Sequence, residues 1–424
     1  MQRRQFLQTG SVLGAMGLVS GCATVGGGSG PKVVVIGGGY AGATAAKYIR
    51  MWSGQKIQVT LVEPNEVFVS CPISNLVIGG SKTMADITTP YDNLTRRHGV
   101  QIVKDRVNSI DADKRMVKLA GGAELTYDRL IVSPGVDFMW EALPGMNKPG
   151  AKDKVMHAWK AGAQTLTLRK QLEAMPDGGV FAMAIPLAPY RCPPGPYERA
   201  CQVADYFSKA KPKSKVLILD ANDDVTSKGA LFKKAWAERY KGIIDYRSKH
   251  QLTDVDVAAN TLKFEFNDDV KANVLNVIPG MRAGDIAVNA GLATANKRWC
   301  EVDFLTFESK VAKNVHVLGD SIQIAPGMPK SGHMANQHGK TCAAAVVALL
   351  TDQPVNTLPI YNNTCYSFVS AEEVVHVASV HRYDAAQKTM LTVPGSGGLS
   401  SAANAVEGHY ALAWARNIWA DTLA

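Results

Sequence analysis

Apolar residues in this chain come in short dense blocks, most of them closed by glycine, proline or an acid. Lys32–Ile36 carries an unbroken apolar run after its lysine and reads as a strand buried on both faces. It enters Gly37-Gly38-Gly39-Tyr40-Ala41-Gly42 directly, and a helical stretch follows from Ala43 to Met51. A second strand block, Ile57–Val62, ends on Glu63, 21 residues beyond Gly42. Strand-like blocks recur at Tyr127–Val132, before Ser133-Pro134-Gly135, and at Gly179–Ile185, Lys215–Asp220 and Val315–Asp320. Helical runs fall between them at Tyr197–Phe207 and after them at His333–Leu350. Beyond Asp352 the pattern changes to short strands, a Gly/Ser loop at Pro394–Ser401 and an amphipathic stretch at Gly408–Asp421. Strands alternating with helical runs predict an α/β chain.

Strand, glycine turn, helix, strand and acid stand in the order of a dinucleotide site. Gly37, Gly39 and Gly42 permit a tight turn and close approach of the backbone to a pyrophosphate, which the helix N-terminus then faces. Glu63, at the end of the second strand, is placed to accept hydrogen bonds from a ribose diol. These residues leave FAD and NAD both open. The segments at 127–135 and 315–320 are similar to the inner segments of flavoproteins with two dinucleotide domains, in which the Gly-Asp carboxylate holds the ribityl chain. That likeness implies FAD, with Asp320 as a flavin contact and the helix after Pro329-Lys330-Ser331-Gly332 aimed at the flavin pyrimidine. Lys330 joins the cofactor-binding set.

The middle of the chain departs from that plan. The strand at Gly179–Ile185 runs into Pro186-Leu187-Ala188-Pro189-Tyr190-Arg191-Cys192-Pro193-Pro194-Gly195-Pro196, where a pyrophosphate turn needs glycines. Proline offers no N–H, so no NAD is expected there. The predicted fold is α/β: two Rossmann-like dinucleotide-binding domains of the disulfide-reductase flavoprotein type plus a small α+β C-terminal domain. The boundaries read 31–150 with 278–352 for the FAD domain, 151–277 for the second unit and 353–424 for the C-terminal, flavin-covering domain. Residues 1–30 are set aside as an export signal and glycine tether.

Composition adds limits. The 424 residues carry a formal charge of +9 without a dense Lys/Arg run, which disfavours nucleic acid and leaves room for an acidic or haem-bearing protein partner. Arg3-Arg4-Gln5-Phe6-Leu7 before a weakly apolar stretch predicts a twin-arginine export signal and a periplasmic protein. Val19-Ser20-Gly21-Cys22 is similar to a lipoprotein processing site, making Cys22 a candidate lipid anchor. There are seven cysteines, at 22, 71, 192, 201, 300, 342 and 365, with no Cys-x-x-Cys-His haem motif and no zinc spacing, so no metal site is expected.

Phe68–Asn75, His157–Gly162, Arg191–Arg199, Trp299–Asp303, Met328–Gly332 and Asn363–Ser367 carry a family likeness. Through them the chain resembles the flavoprotein subunits of flavocytochrome c sulfide dehydrogenases, over essentially everything after the signal. The resemblance implies that Cys71 bonds covalently to the flavin 8α-methyl carbon. It implies that Cys192 and Cys365 form a redox-active disulfide against the flavin ring, and that a separate c-type cytochrome takes the electrons. Pro72 departs from relatives that carry an aromatic residue there. By the residues alone, Cys71 also fits a buried core thiol. The cysteine pair also fits a passive bridge of an exported protein, although the proline collar of Cys192 argues for a rigid, reachable sulfur. Cys201 and Cys342 receive no role, and Cys300 reads as a packed thiol.

The implied chemistry is attack of hydrosulfide on the bridge, leaving a persulfide and a thiolate, with electrons passing to FAD and then singly to haem. Cys192, beside the cation of Arg191, is the better candidate to receive sulfide. Rival readings are a sulfide:quinone oxidoreductase, a non-catalytic flavin-binding cytochrome assembly factor and a pyridine-nucleotide disulfide reductase. The charged residues Glu407, Arg416 and Asp421 within the C-terminal stretch speak against a quinone-side membrane anchor.

Overall fold

A computed structural model describes residues 30–424. The twin-arginine segment and Cys22 lie outside the described residues. The first strand, β1 (Lys32–Ile36), turns at Gly37 into α1 (Tyr40–Trp52), followed by β2 (Gln58–Val62). A short helix, α2 (Ser74–Gly79), precedes β3 (Gln101–Val103) and β4 (Arg129–Val132). The second unit is built from β5 (Val180–Ile185), α3 (Gly195–Ala210), β6 (Lys215–Asp220), α4 (Gly229–Arg239), β7 (Ile244–Arg247) and β8 (Val274–Val277). Its sheet is parallel, in the order β7-β6-β5-β8. The chain then returns to the first sheet as β9 (Val315–Val317), giving a parallel order β9-β4-β1-β2-β3.

Register explains where a ligand has to sit. Ile36 pairs with both Val62 and Val132, and Val132 pairs with Val317, so four strands end level with one another. The turns after them, carrying Gly37, Glu63, Ser133 and Asp320, therefore gather on one edge, outside the carboxyl ends of a parallel sheet. The continuous apolar runs have their reason in burial on both faces of the sheet: Val33, Val34, Val35 and Leu130, Ile131, Val132 are all buried.

After β9, α5 (Gly332–Leu350) packs along α1, and the chain forms β10 (Ile360–Phe368), β11 (Val374–Asp384), β12 (Thr389–Thr392), β13 (Gly398–Leu399) and α6 (Ala405–Leu423). The short strands expected here are instead a hairpin of nine and eleven residues, with Cys365 opposite Val377. The final helix is also longer than its amphipathic core, because Asn404 caps it by accepting from the Glu407 N–H at 2.8 Å. This C-terminal layer shares its apolar core: Phe368, Val374, Ala411 and Ala415 pack with Ile73, Leu76, Val77 and Ile87. Lys47 of α1 donates to the carbonyls of Ala420 and Asp421 at 3.1 and 3.0 Å, fastening the end of α6 to the first domain. None of the described helices is long and apolar enough to cross a membrane.

Candidate functional site

A cavity of about 1190 Å³ opens at the edge where those strand ends gather. Gly37, Gly39, Glu63, Asp320, the start of α5 and the three cysteines Cys71, Cys192 and Cys365 all line it. Gly37 has φ +91°, and a side chain there would meet the Ser133 carbonyl at 2.5 Å, so only glycine suits the turn. Gly39 differs: an added Cβ would meet nothing within 4 Å, because the residue faces the open cavity. Gly42 does not line the cavity. Its Cβ would lie 2.0 Å from the Gly37 carbonyl oxygen and 2.3 Å from Ser133 Oγ, so it serves the close packing of helix on turn.

The Glu63 carboxylate is fixed by the Gly38 N–H at 2.6 Å and by the Asn65 N–H and Nδ2 at 2.8 and 2.6 Å. Oε1 already accepts both Asn65 bonds, so it is Oε2, with one bond, that keeps accepting capacity for a ribose hydroxyl. Burial pushes the Asp320 carboxyl above its usual range, with the charges of Arg191 and Lys330 opposing. The N-termini of α1 and α5 both open on the same space, the latter capped by Ser331, which accepts from the Met334 N–H at 3.0 Å. Two helix N-termini, a bare glycine and a strand-end acid fit an elongated nucleotide cofactor such as FAD.

Lys330 is placed differently from expectation. Its ammonium does not line the cavity but donates to the carbonyls of Asp320 and Ile322 at 2.9 and 2.6 Å and lies 3.6 Å from the Trp299 ring centroid. The preceding turn folds this long side chain beneath the cavity floor, where burial lowers its pKa to about 7. Its backbone is what reaches the site: the Cys192 N–H donates to the Lys330 carbonyl at 2.8 Å, tying the proline loop of the second unit to the turn before α5.

Three of the cysteines meet here. The Cys71 sulfur accepts from the Ala161 N–H at 3.5 Å and from the Arg191 guanidinium, which also bonds the Trp159 carbonyl. The cation beside Cys192 in sequence thus interacts with Cys71 first and with Cys192 less. Cys192 itself has φ +57°, and Gly195 packs so tightly that a Cβ there would come within 2.9 Å of its sulfur. Cys192 and Cys365 face the same cavity as free thiols, so the bridge expected from the resemblance is open in this structure. Burial raises the pKa of both thiols, Cys192 strongly; at Cys192 the cations Arg191 and Lys228 oppose it, and at Cys365 the opposing charge is Lys228. Cys201, Cys300 and Cys342 are buried away from the cavity, the first two pushed up to about 12 by burial.

Two functional groups escaped the sequence reading. Glu198, in the first turn of α3, lines the cavity, with burial holding its carboxyl above the usual range. Its oxygens accept from Asn75 Nδ2 at 2.7 Å and the Phe368 N–H at 2.9 Å. The signal for it was proximity to Cys192 at the start of a helix. Lys228, at the start of α4, donates to the Cys365 carbonyl at 2.9 Å and has no local signal at all, being remote from both cysteines in sequence.

Comparison with known proteins fits this geometry. Residues 165–279 match the family described as sulfide dehydrogenase [flavocytochrome c] flavoprotein chain, central, and residues 357–423 match flavocytochrome c sulphide dehydrogenase, flavin-binding. Residues 31–175 match pyridine nucleotide-disulphide oxidoreductase. The sulfide dehydrogenase [flavocytochrome c] flavoprotein chain of Chlorobaculum thiosulfatiphilum is 56% identical over 46 residues, 11% of this chain and 94% of that sequence. The mitochondrial sulfide:quinone oxidoreductase of Mus musculus is 25% identical over 346 residues, 78% of this chain and 74% of its own length. That of Dictyostelium discoideum is 25% identical over 304 residues, and the chain covers 65% of its length. Among solved structures, the sulfide:quinone oxidoreductase of Aquifex aeolicus superposes with a TM-score of 0.74 at 19% identity, covering 92% of this chain and 91% of its own. The fold is that of the α/β disulfide-reductase flavoproteins.

Proposed function

The chain belongs to the family of flavocytochrome c sulfide dehydrogenase flavoprotein chains, and from that premise we propose that it oxidises sulfide through Cys192 and Cys365 and delivers the electrons to a c-type cytochrome. The observation that carries this reading is that the two cysteines, brought from the second unit and the C-terminal hairpin, line one cavity with the cofactor-side residues Gly39 and Asp320. FAD supplies the conversion of a two-electron oxidation into single-electron steps.

The protein's own groups divide the remaining work. Gly37, Gly39 and Glu63 hold the nucleotide end of the cofactor, and Asp320 with the α5 N-terminus holds the flavin end. Cys71 is the residue for covalent attachment, kept in place by Arg191 and the Ala161 N–H. Cys192 and Cys365 cycle between dithiol and disulfide, the disulfide being the form that sulfide attacks. Glu198, which lines the same cavity as both cysteines and whose carboxyl burial raises, takes or returns the proton at sulfur. The proline-filled turn at Pro189–Pro196 leaves the second unit without an NAD site. Export through the Arg3-Arg4 signal, a periplasmic location and a lipid anchor at Cys22 belong to the same reading and rest on sequence pattern.

Anaerobic titration with sodium sulfide, followed by acid precipitation, tests the proposal. Bleaching of the flavin band with yellow colour retained in the pellet supports sulfide oxidation by covalently held FAD. An unbleached band overturns the reaction, and colour in the supernatant overturns the role of Cys71. A quinone acceptor is the second reading, favoured by the mitochondrial relatives' names. Reduction of cytochrome c against reduction of a soluble quinone by the sulfide-treated protein separates the two.

A further inference from the structure

Lys228 is a buried ammonium behind the cysteine pair. It stands at the start of α4 with φ +58° and is 6% exposed. Its Nζ donates to the Cys365 carbonyl at 2.9 Å, the Val375 carbonyl at 3.3 Å and Ser367 Oγ at 2.6 Å. All three acceptors are neutral, so the cation is desolvated without a bonded counter-charge. Burial lowers its pKa to about 8, opposed by Cys365 first and then by Glu198, Cys192 and Glu407, the ionisable groups that face it.

The two sulfurs stand in unlike settings. Cys365 Sγ accepts from Asn363 Nδ2 at 3.3 Å, and Asn363 is itself fixed by Ser331 Oγ at 2.6 Å. Lys228 is the largest influence opposing burial at Cys365, and Glu198 acts the other way. At Cys192, burial, Cys365 and Glu198 all disfavour the thiolate, with Arg191 and Lys228 opposing. Arg191 is engaged by Cys71 and the Trp159 carbonyl.

Resting on the reading that sulfide acts on the Cys192–Cys365 bridge, we infer that Lys228 is a positioning residue that makes Cys365 the leaving sulfur and Cys192 the sulfur that receives sulfide. Hydrosulfide forms a new S–S bond to Cys192 Sγ as the Cys192–Cys365 bond breaks. The electron pair of the broken bond leaves on Cys365 as a thiolate near Lys228. The hydrosulfide proton stays on the terminal sulfur of the Cys192 persulfide, so one negative charge enters and one remains. A more stable thiolate departs faster, and a fixed cation on one side of the bridge therefore sets the direction of attack.

The test uses the flavin-loaded protein, its Lys228→Met variant and the charge-keeping Lys228→Arg. Oxidised protein receives one equivalent of sodium sulfide and is quenched with iodoacetamide, and the extra sulfur is located by peptide mass mapping. In parallel, the reduced protein is alkylated across pH 6–10. The expected result is persulfide on Cys192 in the wild type, spreading to both cysteines in Lys228→Met and restored in Lys228→Arg. The alkylation onset of Cys365 moves up by about one pH unit or more in Lys228→Met, the scale of losing an opposite charge nearby, while Cys192 moves less. Persulfide on Cys365 in the wild type overturns the inference, as does an unchanged pattern and onset in Lys228→Met, and both leave sulfide chemistry at the bridge standing. Extra sulfur on neither cysteine overturns the bridge reading and this inference with it. If Lys228→Met fails to retain flavin, the wild-type persulfide position decides alone.

Discussion

Asn75 holds Glu198: its Nδ2 donates to Glu198 Oε2 at 2.7 Å while its Oδ1 accepts from Arg199 Nε at 3.1 Å. One amide on α2, four residues after Cys71, thereby clamps neighbouring acid and base on α3, the helix that follows Cys192. Arg199 is fully buried and spends its other donors on the carbonyls of His157 and Ala158 and on Asn276 Oδ1. Asn75→Ala removes a donor from a buried carboxylate and an acceptor from a buried guanidinium. The expected loss is about 2–4 kcal/mol, since groups left unsatisfied near charge cost more than an ordinary hydrogen bond. Urea denaturation of the wild type and variant measures it, and a loss below about 0.5 kcal/mol counts against the clamp.

The same carboxyl predicts a pH dependence. Burial raises the folded pKa of Glu198 above its ordinary 4.5, against opposition from the Phe368 N–H, Asn75, Lys228 and Arg199. The folded state therefore binds the proton more tightly than the unfolded chain. The contribution is fully present below the ordinary value and is lost as pH rises through the raised one. Glu198→Gln, neutral and similar in shape, removes that term. Between pH 5 and 8 the urea midpoint of the wild type falls relative to that of Glu198→Gln, and parallel midpoint curves would refute the raised carboxyl.

How far the sequence discloses this site follows from how local each device is. The Gly37–Gly42 turn, Glu63 and the Val315–Asp320 strand are legible because a dinucleotide fold encodes them within one strand-turn-helix unit. Lys330 is legible only by position. A lysine stem long enough to fold back onto the Asp320 and Ile322 carbonyls carries its charge out of the cavity, and no spacing reports that. Arg191 shows the same limit, as adjacency to Cys192 in sequence becomes contact with Cys71 in space. Lys228 and Asn75 are long-range partners, 137 residues from Cys365 and 123 from Glu198, so only the packed structure brings them in. The C-terminal strands are longer than the pattern predicts because the polar residues Asn362, Asn363, His376 and His381 interrupt the apolar alternation that marks a strand.

Gly42→Ala tests the nucleotide turn. The new methyl group falls 2.0 Å from the Gly37 carbonyl oxygen, a backbone atom that no side-chain rotation can clear. The turn must shift away from α1, which displaces the N–H groups of the helix start from the cofactor. The expected outcome is purified protein with less than about a tenth of the wild-type flavin, since the cofactor must bind before it is attached. A flavin-to-protein absorbance ratio equal to wild type would remove the close-packing role of Gly42.

Cys71→Ser separates attachment from binding. Serine keeps the volume and can accept from the Ala161 N–H and the Arg191 guanidinium that now meet the sulfur. The native variant is expected to hold FAD through Gly39, Glu63 and Asp320, and to release it into the supernatant on acid precipitation. Flavin that stays in the acid pellet of Cys71→Ser would move the covalent link to another residue.

Cys365→Ser distinguishes a working bridge from a passive one. The residue lies in the middle of β10 opposite Val377, and its carbonyl, which anchors Lys228, is unchanged by the substitution. The fold and the flavin band are therefore expected to persist. What disappears is the sulfur that, in the proposed reaction, leaves when sulfide attacks Cys192, and a serine oxygen cannot form or break that bond. Sulfide-dependent bleaching is expected to slow by roughly 10³-fold or more, the scale of removing a group that acts in covalent catalysis. Stopped-flow absorbance under anaerobic sulfide reads it directly. Normal bleaching by Cys365→Ser would mean that sulfide reaches the flavin without the cysteine pair.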